Sequence, residues 1–195
     1  MSVHRIIRIM LIAVVTWLVL SWAMGCTKEI VQPAGASDCA NSLGNVACDF
    51  AMLDQNGGAT SLYEHHGKVI VLDFSAMWCG PCQMAALDVD KIVEKYGEEN
   101  VVYITVLVEN SSGGNPSLRD LEKWSEALGV HNNPVLAGSR EWLNNSDYYL
   151  EAWPTFYFIT PTMVIKEYQR GYNPTNVERA ISELLPSEDC WSAGP

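Results

Sequence analysis

The apolar residues fall into blocks of different period, and the blocks predict the order of elements. Lys68 to Phe74, "KVIVLDF", is a near-continuous apolar run, the pattern of a strand buried on both faces and hence central in a parallel sheet. After Cys82 the period lengthens. Ala85, Val89, Ile92, Val93 and Tyr96 recur at helical spacing and Gly97 closes the segment, so one helix is predicted there. Val101 to Glu109, "VVYITVLVE", is a second buried strand and completes a βαβ unit. Ser117 to Leu128 is predicted as a helix, with Ser117 and Asp120 at capping-box spacing and Leu118, Leu121, Trp124, Ser125 and Leu128 along one side. Thr155 to Thr160 and Met163 to Gln169 read as strands around a tight turn at Pro161-Thr162. A last helix opens near Asn173-Pro174, runs through Val177, Ile181 and Leu184, and stops at Pro186. Ahead of the first buried strand, "DFAMLDQNGGATSLY" has the form of a hairpin turned at Asn56-Gly57-Gly58.

The first residues follow a different rule. His4, Arg5 and Arg8 make a basic start, and Ile9 to Met24 is apolar apart from Thr16 and Ser21. This is the layout of an export signal over residues 1–25. Its end allows a lipoprotein site with Cys26 as acceptor, ordinary cleavage after Ala23 and Gly25, or an uncleaved anchor. The run is shorter than the roughly 20 residues of a spanning helix, which weakens the last. Ala23-Met24-Gly25-Cys26 resembles a bacterial lipobox, with Ala23 where leucine is usual, so a lipid on Cys26 is expected to hold the chain to a membrane, with the remainder outside the cytoplasm. Residues 26–46, rich in Ser, Ala, Gly, Asn and Pro, read as a flexible tether, and residues 47–190 as one folded domain.

Composition narrows the function. The 195 residues are 48% hydrophobic, enough for one well-buried core. Twelve Lys+Arg against 23 Asp+Glu give a net charge of −11, which argues against nucleic acid as a partner. There are six cysteines, and outside the cytoplasm distant cysteines tend to be bridged. With Cys26 set aside and Cys79 paired to Cys82, three remain. A bridge from Cys39 or Cys48 to Cys190, tying the two ends of the fold, is one arrangement that their order allows, with at least one cysteine left over.

Cys79 and Cys82 carry the chemistry. They stand where the central strand gives way to a helix, and the free amides and dipole of a helix start favour a thiolate. Cys79 is therefore the expected nucleophile, with a pKa drawn from about 8.5 towards about 7, and Cys82, in the first turn, the resolving thiol. Pro81 suits that turn and stiffens it. The other readings of such a pair are a structural disulfide or half of a zinc site, but zinc needs about four ligands, and no second Cys-x-x-Cys or paired His follows at finger spacing. His65, His66 and His131 read as loop residues, and Trp124, Trp142, Tyr148 and Tyr149 as packing.

"WCGPC" preceded by "VIVLDF" resembles the thioredoxin superfamily, and the longer stretch from Cys48 to Cys82 is similar to its membrane-tethered TlpA/ResA-like branch. The resemblance implies an α/β thioredoxin fold: a central mixed β-sheet flanked by helices, extended by the N-terminal hairpin. It makes Asp73 the buried acid that exchanges a proton with the resolving cysteine. It also makes Trp153-Pro154-Thr155 the cis-proline segment that docks a substrate polypeptide, and Gly171 a glycine at the border of that groove. Trp78, Gly80 and Pro81 complete the expected docking surface.

Three positions depart from the pattern. Trp153 is bulky where it precedes the proline, the strand from Val101 to Glu109 lacks the lysine that faces the buried acid, and Gln83 stands where a lysine often follows the second cysteine. The activity implied is an extracytoplasmic thiol-disulfide oxidoreductase that reduces disulfides of secreted or membrane proteins, with cytochrome c maturation as one setting. It uses no metal or organic cofactor. Its partners would be thiol or disulfide proteins and an electron donor such as a membrane thiol transporter, and the chain is expected to be a monomer. Two other classes share the fold: a peroxiredoxin-like peroxidase, whose Pro-xxx-Thr/Ser-xx-Cys pattern "DFSAMWCGPC" lacks, and a non-catalytic lipoprotein binding module.

Overall fold

The computed structural model describes residues 32–185. The expected export signal, the lipid acceptor Cys26 and Cys190 with any bridge to it lie outside the described residues.

The described chain builds strands β1 (Ala51–Leu53), β2 (Ala59–Ser61), β3 (Val69–Ala76), β4 (Val101–Glu109), β5 (Val135–Ala137), β6 (Thr155–Ile159) and β7 (Ile165–Arg170). Its helices are α1 (Gly80–Ala86), α2 (Val89–Tyr96), α3 (Leu118–Leu128), α4 (Arg140–Asn144) and α5 (Pro174–Leu184). Five strands form a mixed sheet in the order β5-β4-β3-β6-β7, with β3, β4 and β5 parallel and β6 and β7 antiparallel to their neighbours. The fold is the mixed-sheet α/β arrangement expected from the sequence, with β1 and β2 as a separate hairpin.

All residues of β3 and β4 are buried because apolar layers cover both faces. Val69, Val71, Val101, Tyr103, Phe156 and Phe158 point into a core with Ala85, Val89, Ile92, Leu121, Trp124, Val177 and Ile181 from α1, α2, α3 and α5. The alternate residues Ile70, Leu72, Phe74, Val102, Ile104 and Tyr157 meet Leu62, Tyr63, Leu143 and Tyr148 on the other face. Each fully buried aliphatic or aromatic side chain contributes roughly 1.5–3 kcal/mol, so the two layers fix the strand register firmly. Trp142 and Tyr148 pack there against Phe74, and Trp142 also meets Phe50 edge-on at 5.2 Å.

The hairpin turns where expected. The Asp54 carboxylate accepts from the amides of Asn56 and Gly58, while Gly57 takes φ 78°. Gln55 then fastens the hairpin to the sheet edge: its Oε1 accepts from Val135 N at 2.8 Å and its Nε2 donates to Asn133 O at 3.0 Å.

Two regions differ from the expectation. The single helix predicted after Cys82 is two, α1 and α2, separated at Leu87-Asp88, where Asp88 N closes a tight turn on Ala85 O at 3.1 Å and the Asp88 carboxylate accepts from Tyr172 Oη (2.7 Å) and Lys91 Nζ (2.9 Å). The segment read as tether is also fastened to the body over residues 39–47. Cys39 is bridged to Cys48, and Ala47 is fully buried. Asn41 Nδ2 donates to Ser146 O at 2.5 Å while its Oδ1 accepts from Cys48 N at 2.8 Å. The backbone of Gly44 to Ala47 is hydrogen-bonded to Met163 and Ile165. The pairing of Cys39 with Cys48 corrects the expectation of a bridge from either to Cys190: the nearer partner, nine residues away, is the one used.

Candidate functional site

β3 delivers the cysteine pair. At its end the register with β4 shifts between Ser75 and Ala76, and Met77 N donates to Glu109 O, so the chain leaves the sheet beside the end of β4. Cys79 is the N-cap of α1, and Pro81 lies in the first turn. The Cys79 Sγ accepts from Cys82 N at 3.2 Å, the contact expected to favour a thiolate there. The two cysteines are joined as a disulfide. Cys79 keeps 5% of its surface open and Cys82 none. Gly80, Pro81 and Gln83 are exposed, and Gln83 Nε2 donates to Met77 O at 2.8 Å, which ties the helix start to the preceding loop.

Asp73 lies on β3, on the face that shares its core with Cys79 and Cys82. It is fully buried. Ser75 Oγ donates to its Oδ1 at 2.8 Å and Tyr103 Oη to its Oδ2 at 3.3 Å. Burial pushes its pKa up to about 7, and the two hydroxyl donors pull against that rise without cancelling it. The partner that stands where a lysine was missed is thus a tyrosine, a neutral donor. The Tyr103 hydroxyl is itself held far above its ordinary pKa by burial and by the nearby carboxylate, so it remains a donor across the working pH range.

The proline segment comes to the same end of the sheet. Thr155 pairs with Phe74 and Phe156 with Asp73 across β6 and β3. The Trp153-Pro154 peptide is cis, Thr155 Oγ1 donates to Ala152 O at 2.7 Å, and Gly171, at φ 71°, donates its amide to Pro154 O at 2.8 Å. Pro154 and Thr155 are buried, and Trp153 is half-buried against both core layers.

A pair that the sequence reading missed links these parts. Trp78, half exposed beside Cys79, donates its indole N–H to Glu109 Oε2 at 2.7 Å. The other Glu109 oxygen accepts from Arg140 Nε, and the Arg140 guanidinium lies over the Trp153 ring, with Cζ 5.0 Å from its centroid. The Arg140 contact and the indole bond hold the Glu109 carboxyl below its ordinary pKa. Gly138 makes the approach possible. Its amide bonds Leu107 O, and a Cβ there would fall 2.7 Å from Val106 Cγ1, so only glycine lets the loop before α4 lie against β4. Glu109 carried no signal in the sequence beyond being a charge at the end of an apolar strand, and Arg140 lies in a stretch with no clear period.

Comparison with known proteins gives the frame for this geometry. The AhpC/TSA family model matches residues 43–168. The thiol-disulfide oxidoreductase ResA of Geobacillus kaustophilus is 26% identical over 87% of this chain and 92% of its own length. A thioredoxin of Coprinus comatus is 46% identical over 46 residues, a match that spans 43% of that protein. Among solved structures, a chain described as the thiol:disulfide interchange protein DsbE of Chlorobium tepidum superposes with a TM-score of 0.63 at 23% identity, over 75% of this chain and all of that one. The exposed lipoprotein thioredoxin Etrx1 of Streptococcus pneumoniae does so with a TM-score of 0.57 at 26% identity, over 70% and 100%. The chain therefore belongs to the AhpC/TSA family, as a thioredoxin-fold thiol-disulfide oxidoreductase.

Proposed function

We propose that this protein is an extracytoplasmic reductase of protein disulfides, working through Cys79 and Cys82, with cytochrome c precursors among the substrate classes it would serve. The observation that carries the reading is the unequal exposure of a joined cysteine pair that follows the strand holding a buried carboxyl, whose pKa burial raises to about 7. In the reduced enzyme the Cys79 thiolate attacks one sulfur of a substrate disulfide. The S–S bond breaks, the leaving sulfur departs as a thiolate, and a mixed disulfide forms. Cys82 then loses its proton to Asp73 and attacks the Cys79 sulfur. The second substrate sulfur leaves, and two electrons have passed from the dithiol to the substrate. A thiol-bearing electron donor in or at the membrane returns the pair to the dithiol.

The Trp153-Pro154-Thr155 segment, backed by Gly171, is the surface against which a substrate chain would lie, with Trp78, Gly80 and Pro81 around the disulfide. The Gly-Pro spacer is that of thioredoxin, whose potential is about −270 mV, which favours the reducing direction. The Cys39–Cys48 bridge and the basic, apolar N-terminus support an oxidising compartment. The likeness to a lipoprotein thioredoxin supports a lipid on Cys26.

Two measurements test this. The Cys79/Cys82 potential should lie near that of thioredoxin, and the Cys82→Ser chain should accumulate mixed disulfides with exported thiol proteins. A potential below about −300 mV, typical of structural bridges, together with an empty trap, would sink the reading.

A further inference from the structure

We propose that Arg140 is a specificity residue that selects substrates bearing an acidic side chain next to the cysteine under attack. The inference rests on the reductase reading above, in which the substrate chain lies along the proline segment. Arg140 is placed for that role by two contacts that leave its outer edge open. Its Nε is taken by Glu109, and its plane rests on Trp153, the residue just before Pro154. Its side chain stays 52% exposed, and among the described residues no hydrogen bond uses Nη1 or Nη2. These are the nitrogens that receive a carboxylate in a forked pair.

A guanidinium already fixed in plane and direction loses little freedom when a ligand arrives, so the open edge is preorganised. Trp78 stands at the far end of the same chain of contacts, through Glu109, so the cation is coupled to the rim of the disulfide itself. Glu109 opposes an incoming carboxylate, which limits the preference. It also supplies a control, because removing its charge should strengthen the preference.

The test uses the full chain, reduced beforehand, and three disulfide peptides that differ only in having Asp, Asn or Lys immediately before the cysteine. Second-order rate constants are read from tryptophan fluorescence. The Asp peptide is expected to react about fivefold faster than the Asn peptide, and the Lys peptide more slowly than either. Arg140→Gln should bring the Asp/Asn ratio to about one, and Glu109→Gln should raise it to about tenfold. Salt at about 0.5 M should shrink every ratio. A wild-type ratio of one, or a ratio that survives Arg140→Gln, overturns the proposal while leaving the reductase reading intact. If the reduced wild-type chain reacts with none of the peptides, both fall together. The Glu109→Gln arm guards against misreading a folding defect, since a merely structural pair would not increase selectivity when it is weakened.

Discussion

Asp73 is fully buried in the sheet, with two hydroxyl donors on its carboxylate. Its place on β3, six residues before Cys79, is legible from the motif alone. What tunes it is not, because the donors come from Tyr103, thirty residues away, and from Ser75, and neither residue type signals that role in a strand. Two neutral hydroxyls stabilise a carboxylate less than an ammonium would, so burial wins and the pKa rises to about 7. The native state thus holds this proton more tightly than the unfolded chain, where the carboxyl has its ordinary value of 3.8. Stability from this group is greatest below about pH 4, falls as pH rises, and levels off above about pH 7, a cost on the order of 4 kcal/mol when fully ionised. Asp73→Asn, with the disulfide closed, should therefore be more resistant to urea than the wild type at pH 8, and the gap should close on titration to pH 4. The same variant should resolve mixed disulfides about 100-fold more slowly, seen as persistence of the Cys79 adduct in a quenched single-turnover gel. Equal urea midpoints for the two proteins at every pH would show that the carboxyl is not held near neutrality by burial.

Among the elements, those with a strong period were legible and those set by a single side chain were not. β3, β4, α3 and α5 follow from apolar runs and caps, and the Ser117–Asp120 capping box forms in both directions. The break between α1 and α2 is invisible to periodicity, since Ala85, Val89 and Ile92 all remain in one core. It lies where Asp88 N closes a tight turn on Ala85 O, and there the Asp88 carboxylate joins the start of α2 to Tyr172 in the loop before α5 and is held below its ordinary pKa, chiefly by that bond. β5 and α4 are too short, at three and five residues, to show a period at all. The hydrogen bond between Asp88 and Tyr172 should have a measurable coupling. Asp88→Ala and Tyr172→Phe are each expected to cost about 1 kcal/mol in denaturant unfolding, and the double variant less than their sum by about the same amount. Additive losses would mean that the bond between Asp88 and Tyr172 contributes nothing of its own to stability.

At the scale of the whole molecule, the sheet and its cysteine motif could be read from the sequence because both depend on local pattern. The limits of the fold could not, since small polar residues look alike in a loose tether and in a fastened loop. Cys39, Asn41 and Ala47 are what distinguish the two, through a bridge to Cys48, paired bonds to Ser146 and Cys48, and complete burial. The bridge closes a short loop, so its main effect is to limit the unfolded chain, worth about 3 kcal/mol for a loop of this size. The folded loop also has bonds of its own, from Gly44 to Ala47 onto the β6–β7 turn, which should hold its path when the bridge is gone. Replacing both Cys39 and Cys48 by Ser is therefore expected to lower the melting temperature by roughly 8 °C. The Cys79/Cys82 potential should not move, because the loop is attached at the turn after β6, whereas the cysteine pair sits where β6 begins. Calorimetry and a glutathione redox titration on the same preparation would check both halves. A shifted potential would mean that the two disulfides are coupled, and that the N-terminal loop belongs to the redox machinery as well as to the scaffold.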